Sequence, residues 1–397
     1  MANEDGQPLW LLLLPTLPFE ISLGTLKVAY GPSLSQALKY ASNRSTVSQN
    51  VVLDIAVCYD GDMHEYPALQ HFFGIMYRLI CVICMEHRID LQYGNDVDAR
   101  IVLARRSAGQ MEPPNRSLNC SLEQLAKTDR AWQRVLAPEG EDAEGLLQEF
   151  LRVRNANLQS RIASAEIDRL SGGLVVHQDK PPHPRSNTAV MVRHRSVAVG
   201  GTFDHLHAGH KLLLTMAALM LDADPVQSRE TVLTVGITGD ELLQNKKYRD
   251  QLEDFYKRQS AIQQFLLGIL ELISARNKLD YARNSEGSAR FGREVTNSLK
   301  SGLTIRYVEI FDPCGPTITD EAISALVLSA ETRGGGQIVN SRREEKGWSP
   351  LDIFEVDVLD VGEDESSTDD NAFQNKISST DIRRRMQEKL GTADPKS

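Results

Sequence analysis

Apolar and polar positions alternate most regularly in the second half of the chain. Short runs of aliphatic and β-branched residues predict strands at Ser196–Gly200, Thr231–Thr238, Thr304–Phe311, Ser324–Ser329 and Ile353–Leu359. Between them, helical spacing predicts helices at Lys211–Leu221, Glu253–Ser274 and Gln337–Glu345. Strands that are apolar on both faces and alternate with helices belong in a parallel sheet covered on both sides. The expected fold class is therefore α/β, a Rossmann-like doubly wound parallel sheet. Ligands of such sheets sit beyond the carboxyl ends of the strands, where the strand order reverses, so the segments that directly follow strands are where chemistry is sought.

The first half is less regular. Val51–Tyr59 and Arg100–Arg105 read as strands, Leu69–Glu86 as a helix and Leu151–Leu170 as an amphipathic stretch, giving a mixed α/β domain over residues 1–176. The segment His177–Arg195, rich in proline and charge, reads as a linker over 177–195, and the second domain occupies 196–397. Within it, Glu363–Asp370 is acidic and serine-rich and is expected to be a solvated loop; Arg283–Arg293 is a second candidate loop. No internal repeat is visible in the sequence.

A length of 397 residues suits two packed domains. With 44 basic against 54 acidic residues and a net charge of -10, the chain is not expected to bind nucleic acid, which demands clustered Lys and Arg. Five cysteines, an odd number, point to a reducing compartment, and Cys81 and Cys84, inside the apolar run Ile75–Met85, read as buried thiols. Leu11–Leu14 is too short for an export signal, and Phe72–Met85, interrupted by Arg78, is shorter than the roughly 20 apolar residues that span a bilayer. No membrane span and a cytoplasmic location are expected.

The chemistry concentrates after the predicted strands. The first runs into Gly200-Gly201-Thr202-Phe203-Asp204-His205-Leu206-His207-Ala208-Gly209-His210 and an apolar helix. Glycines permit a tight turn and close backbone approach, and the following helix directs free N–H groups and its positive dipole end at an anion. His207 and His210, three residues apart across the helix start, can both donate to phosphate oxygens. A metal site of His205, His207 and His210, or plain capping histidines, are the alternatives. The second strand is followed by Thr238–Lys247, which ends in Lys246 and Lys247, and then by Tyr256-Lys257-Arg258; the third by Asp312-Pro313-Cys314-Gly315-Pro316; the fourth by Ser329-Ala330-Glu331-Thr332-Arg333-Gly334-Gly335-Gly336. Near the end stands Lys376-Ile377-Ser378-Ser379-Thr380-Asp381-Ile382-Arg383. By itself Ser-Ser-Thr is an ordinary helix cap.

The eleven-residue block resembles the HxGH signature of the nucleotidylyltransferase superfamily. GGTFD-x-LH-x-GH, DPCGP, SAETRGGG and KISSTDIR, in this order, resemble the blocks of eukaryotic phosphopantetheine adenylyltransferases of the fungal, monofunctional type; where the superfamily often has proline after the aspartate, this chain has His205. The resemblance covers about Ser196–Leu390. It implies transfer of AMP from ATP to 4′-phosphopantetheine, giving dephospho-CoA and pyrophosphate. His207, His210 and Lys246 are the implied catalytic residues. Gly200, Gly201, Phe203, His207, His210, Arg333, Gly334, Ser378, Ser379, Thr380 and Arg383 would bind ATP, and Thr202 and Lys246 the acceptor. Asn340 and Arg343 resemble the family's Asn-x-x-Arg pair. Mg²⁺ is implied with ATP, without protein ligands. No Walker A pattern occurs, so a fused dephospho-CoA kinase, as in animal members, is not expected; the link of the fungal family to a CoA-synthesising complex implies other pathway enzymes as partners. Rival readings are nucleotidylyl transfer to nicotinamide mononucleotide or phosphocholine, a class I aminoacyl-tRNA synthetase with similar HIGH and KMSKS motifs, and a non-catalytic scaffold.

Overall fold

Two six-stranded sheets organise the chain in a computed structural model that describes residues 7–17, 21–46, 49–59, 66–91, 96–106, 119–157, 165–171, 192–222, 230–271, 292–299, 302–359 and 378–392. Most of the expected linker and the whole acidic loop 363–370, with Lys376 and Ile377, lie outside the described residues. The chain divides into one unit of Met1–Val192 with Gly268–Arg276 and another of Arg193–Leu267 with Asn277–Ser397.

The first unit contains strands β1 (Leu9–Leu14), β2 (Val51–Tyr59), β3 (Val97–Arg105), β4 (Asn119–Ser121), β5 (Arg134–Pro138) and β6 (Glu166–Leu170), with helices α1 (Leu23–Arg44), α2 (Tyr66–His87), α3 (Leu122–Lys127) and α4 (Glu141–Asn157). Its strands lie in the order β4-β3-β2-β1-β5-β6, and every neighbouring pair is parallel. This is more specific than a mixed α/β domain. Leu9–Leu14, six consecutive buried apolar residues, is the central strand; it lacks alternation because helices cover both faces. The stretch Leu151–Leu170 is not one amphipathic element: it holds the end of α4 and the edge strand β6. Helix α2 has the hydropathy and length of a membrane span, yet 61% of its most apolar window is buried inside the fold, and Cys81 and Cys84 are buried with it. Asp54, fully buried in β2, accepts from Arg130 Nε at 2.7 Å and Nη2 at 3.0 Å and from Trp132 Nε1 at 2.8 Å, the saturation a buried carboxylate requires.

The second unit contains β7 (Ser196–Gly201), α5 (Ala208–Leu219), β8 (Thr231–Thr238), all but the last turn of α6 (Phe255–Glu271), β9 (Glu294–Ser298), β10 (Leu303–Ile310), β11 (Ala325–Ser329), α7 (Arg333–Glu345), β12 (Asp352–Val356) and α8 (Ser379–Thr392). The order is β12-β11-β7-β8-β10-β9, parallel except for β9, which runs antiparallel on the edge beside β10. Val197, Val199, Leu233, Val235, Ile237, Ile305 and Tyr307 fill its buried interior. The order reverses between β7 and β11, so the loops after these two strands flank the crevice where a doubly wound sheet takes its ligand.

Candidate active site

The loop from β7 to α5 is strained and heavily braced. Phe203 and His205 both adopt left-handed backbone, with φ of 52° and 48°, a conformation that costs about 1 kcal/mol or more for each non-glycine residue. Three hydrogen bonds hold it. The His205 amide donates to Glu253 Oε2 at 2.8 Å, the Glu253 amide donates to Asp204 Oδ1 at 2.9 Å, and His205 Nε2 donates to the Gln251 carbonyl at 2.7 Å. His205 therefore spends its ring proton on the scaffold. Gly201 is tightly packed: a Cβ there would stand 3.2 Å from the Phe203 ring, which would have to shift by a few tenths of an ångström.

His207 is the N-cap residue of α5, and one turn on lies His210. Their rings stack with centroids 3.8 Å apart and planes at 20°, and the Phe203 ring packs 5.4 Å from His210. Burial, reinforced by His205 and Lys211, pushes His207 down to about 3, and burial together with His207 and His205 holds His210 well below its usual range. Both imidazoles are thus neutral at pH 7, as two rings in van der Waals contact must be unless an anion compensates them. The Nδ1 atoms of both are buried without a hydrogen-bond partner among the described residues. With Nδ1 buried in both rings, Nε2 is the nitrogen left to meet a phosphate at this helix N-terminus.

The start of α8 closes onto this loop. Ser379 Oγ donates to the Asp204 carbonyl at 2.8 Å and lies 3.4 Å from His207 Nε2. Ser378 Oγ takes the amide of Asp381 at 3.3 Å, acting as a cap, and Thr380 Oγ1 accepts from Arg383 Nη2 at 3.2 Å. Arg383 differs from expectation. Rather than standing open toward a leaving pyrophosphate, it is 2% exposed, donates to Asp204 Oδ2 at 2.5 Å and binds the Lys247 carbonyl through Nε at 3.0 Å.

The remaining expected residues divide between crevice and scaffold. Thr202 is half-buried in the loop, and its carbonyl accepts from Arg258. Gly200 is the penultimate residue of β7, where a Cβ would be 3.9 Å from the Gly236 carbonyl of β8. Lys246 is exposed on the turn after β8. Arg333 is exposed at the first turn of α7, paired with Glu355 at 2.6 Å, and Gly334 beside it has open space around it. Asn340 and Arg343 are scaffold residues: Asn340 exchanges two hydrogen bonds with the backbone of Leu351, and Arg343, 1% exposed, donates to the carbonyls of Ser349, Thr317, Asp320, Glu321 and Ile323. Asp312 Oδ1 accepts the amides of Cys314 and Gly315, turning the chain where Gly315 has φ of 46°. In the sequence Arg258 stands only as part of the segment Tyr256-Lys257-Arg258. It is fully buried and donates to the carbonyls of Thr202, Thr238 and Glu253 and to Asp240, clamping the carboxyl ends of β7 and β8; an arginine on the apolar face of the predicted helix was the only signal.

Residues 198–385 match the cytidylyltransferase-like family model, and residues 1–176 match a domain of unknown function, DUF8446. An uncharacterized protein of Schizosaccharomyces pombe is 35% identical over 189 residues, 48% of this chain and 47% of that one. The phosphopantetheine adenylyltransferase of Saccharomyces cerevisiae is 36% identical over 187 residues, 47% of each chain. That of Thermococcus kodakarensis is 29% identical over 167 residues, 42% of this chain and 77% of the archaeal one. The matched region thus spans about half the length of the fungal relatives.

Proposed function

We propose that this chain, whose residues 198–385 match the cytidylyltransferase-like family model, is a nucleotidylyltransferase that transfers AMP from ATP to 4′-phosphopantetheine, releasing pyrophosphate and forming dephospho-CoA. The neutral, stacked His207 and His210 at the start of α5 carry this reading. A phosphate oxygen of the acceptor attacks the α-phosphorus in line. A new P–O bond forms, the bond to the β-phosphate bridging oxygen breaks, and its electron pair leaves with pyrophosphate. Because the nucleophile is already an anion near pH 7, no strong base is needed; positioning and charge stabilisation supply the rate.

His207 and His210 donate to the α-phosphate as charge builds there, with Phe203 backing the His210 ring. Gly200 and Gly201 let the backbone approach the nucleotide, Thr202 holds the acceptor phosphate, and Lys246 follows the phosphates from the turn after β8. Arg333 and Gly334, at the N-terminus of α7, and Ser378–Thr380, at that of α8, face the nucleotide and its triphosphate. Mg²⁺ bound together with ATP would neutralise part of the triphosphate charge. Action in the cytoplasm, beside other enzymes of coenzyme A synthesis, follows from this reading.

The acceptor assignment is supported by the yeast and archaeal relatives, whose names are phosphopantetheine adenylyltransferase. It is tested by offering 4′-phosphopantetheine, nicotinamide mononucleotide and phosphocholine, each with ATP or CTP and Mg²⁺, and following pyrophosphate. Release with ATP and 4′-phosphopantetheine alone is expected. Turnover of another acceptor, with none of 4′-phosphopantetheine, refutes the assignment.

A further inference from the structure

We infer that Asp204 and Arg383 form a latch that seats the start of α8 against the histidine pair, making Arg383 a positioning residue rather than a phosphate ligand. The inference rests on the nucleotidylyl-transfer reading of the site but not on the choice of acceptor. Asp204 is fully buried and Arg383 is 2% exposed. All three guanidinium nitrogens are engaged: Nη1 on Asp204 Oδ2, Nε on the Lys247 carbonyl and Nη2 on Thr380 Oγ1. One side chain therefore joins the HxGH loop, the lysine turn after β8 and the first turn of α8.

The latch reaches the chemistry through Ser379. Its hydroxyl proton goes to the Asp204 carbonyl at 2.8 Å, so toward His207 Nε2, 3.4 Å away, the oxygen can only accept. In neutral His207 this puts the ring proton on Nε2, where the long contact with Ser379 holds it toward the crevice for a phosphate oxygen to take, and leaves Nδ1 a bare acceptor.

Asp204→Asn, Arg383→Lys, their double variant and Ser379→Ala test this in the full chain, with calorimetric binding of MgATP measured beside kcat and KM. Each single substitution is expected to lower kcat about 10- to 100-fold, with ATP affinity within threefold of the parent in Asp204→Asn and Arg383→Lys, and the double variant to be no worse than the more damaging single one. A tenfold loss of ATP affinity in Arg383→Lys, with Asp204→Asn like the parent, makes Arg383 a phosphate ligand and overturns the latch. Ser379→Ala leaves the ion pair intact, so it keeps the test decisive if Asp204→Asn fails to fold; an unchanged kcat there also overturns it. A parent protein that binds MgATP but does not adenylylate 4′-phosphopantetheine refutes the acceptor, not the latch, which ATP affinity and the kcat of whichever acceptor turns over still read.

A different observation concerns the first unit. Matching β1, β2, β3, β5 and β6 with β7, β8, β10, β11 and β12 gives the same order in both sheets: third, second, first, fourth, fifth. At the point corresponding to the histidine loop, α1 begins with Ser22-Leu23-Gly24-Thr25, Ser22 being the N-cap as His207 is in α5. The imidazole pair is thus replaced by two hydroxyls 2.9 Å apart, bonded to each other, with Ser22 Oγ also taking the Thr25 amide. Where α7 starts with Arg333 and three glycines, its counterpart α4 carries Glu141, Asp142 and Glu144 in the first turn. We propose that the first unit is a silent counterpart of the catalytic one, in which, among the described residues, two hydroxyls stand where the histidine pair does and acidic residues where α7 has Arg333, so that MgATP binds in the second unit alone. Titration of the full chain with MgATP is expected to give one site, and Ser22→Ala/Thr25→Ala to keep binding and turnover within twofold. Two sites, or loss of binding in that variant, overturn the proposal.

Discussion

Gly209→Ala separates the placement of the histidine pair from the integrity of the fold. Gly209 is the second residue of α5, and an ideal Cβ there stands 3.2 Å from His207 Cε1 and 3.3 Å from its Nδ1, inside the 3.5–4.0 Å of relaxed carbon contacts. The ring must yield by a few tenths of an ångström. Its other face is stacked on His210, so the pair tilts together. The backbone has no reason to object: Gly209 is not among the residues with positive φ, and alanine in a helix is favoured over glycine by about 0.5–1 kcal/mol. The variant is therefore expected to melt at the parent temperature or slightly higher. Since a misplacement of about 1 Å costs on the order of 100-fold, the smaller shift here should lower kcat by about 5- to 30-fold. Initial rates of pyrophosphate release, paired with a thermal melt, read both quantities. Parent-like kcat in a folded variant would refute the claim that the ring positions set the rate.

Two further outcomes follow from the same structure. His207, depressed to about 3 in the folded protein, is protonated first in the unfolded chain, near 6.5; the stability it contributes is complete above that pH and lost as pH falls toward 3, about 2 kcal/mol by pH 5. Urea midpoints at pH 7.5 and 5.0 should therefore fall further for the parent than for His207→Gln, and equal falls contradict the neutral, buried histidine. Arg343→Ala strands several buried carbonyls and should cost about 3 kcal/mol of stability, with the ATP KM of the folded fraction unchanged; a raised KM at parent stability would return Arg343 to the crevice.

The second unit was legible because its strands are short, apolar and punctuated by glycine-rich turns, and the expected strands all have counterparts in β7, β8, β10, β11 and β12. The edge strand β9 escaped notice: Glu-Val-Thr-Asn-Ser has only one apolar residue and only Asn297 is buried, as an edge position allows. In the first unit, Leu11–Leu14 reads in the sequence only as a run too short for an export signal, because the fully buried strand Leu9–Leu14 shows no period of two. Helix α1 mixes polar and apolar positions and contains Pro32, so its helicity comes from packing rather than propensity. Motifs placed His207, His210 and Ser379 together in advance, but a motif cannot tell whether a charge faces ligand or protein. Arg383, Arg343 and Arg258 each look like available cations in the sequence and are each consumed by carbonyls or a carboxylate in the fold.

The central claim, attack on the α-phosphorus, is tested most directly by supplying ATP labelled at that phosphorus together with 4′-phosphopantetheine and Mg²⁺. Label in dephospho-CoA, unlabelled pyrophosphate in equal amount, and loss of both products in folded His210→Ala are predicted. Labelled ADP with a phosphorylated acceptor, or products undiminished in His210→Ala, would contradict the account.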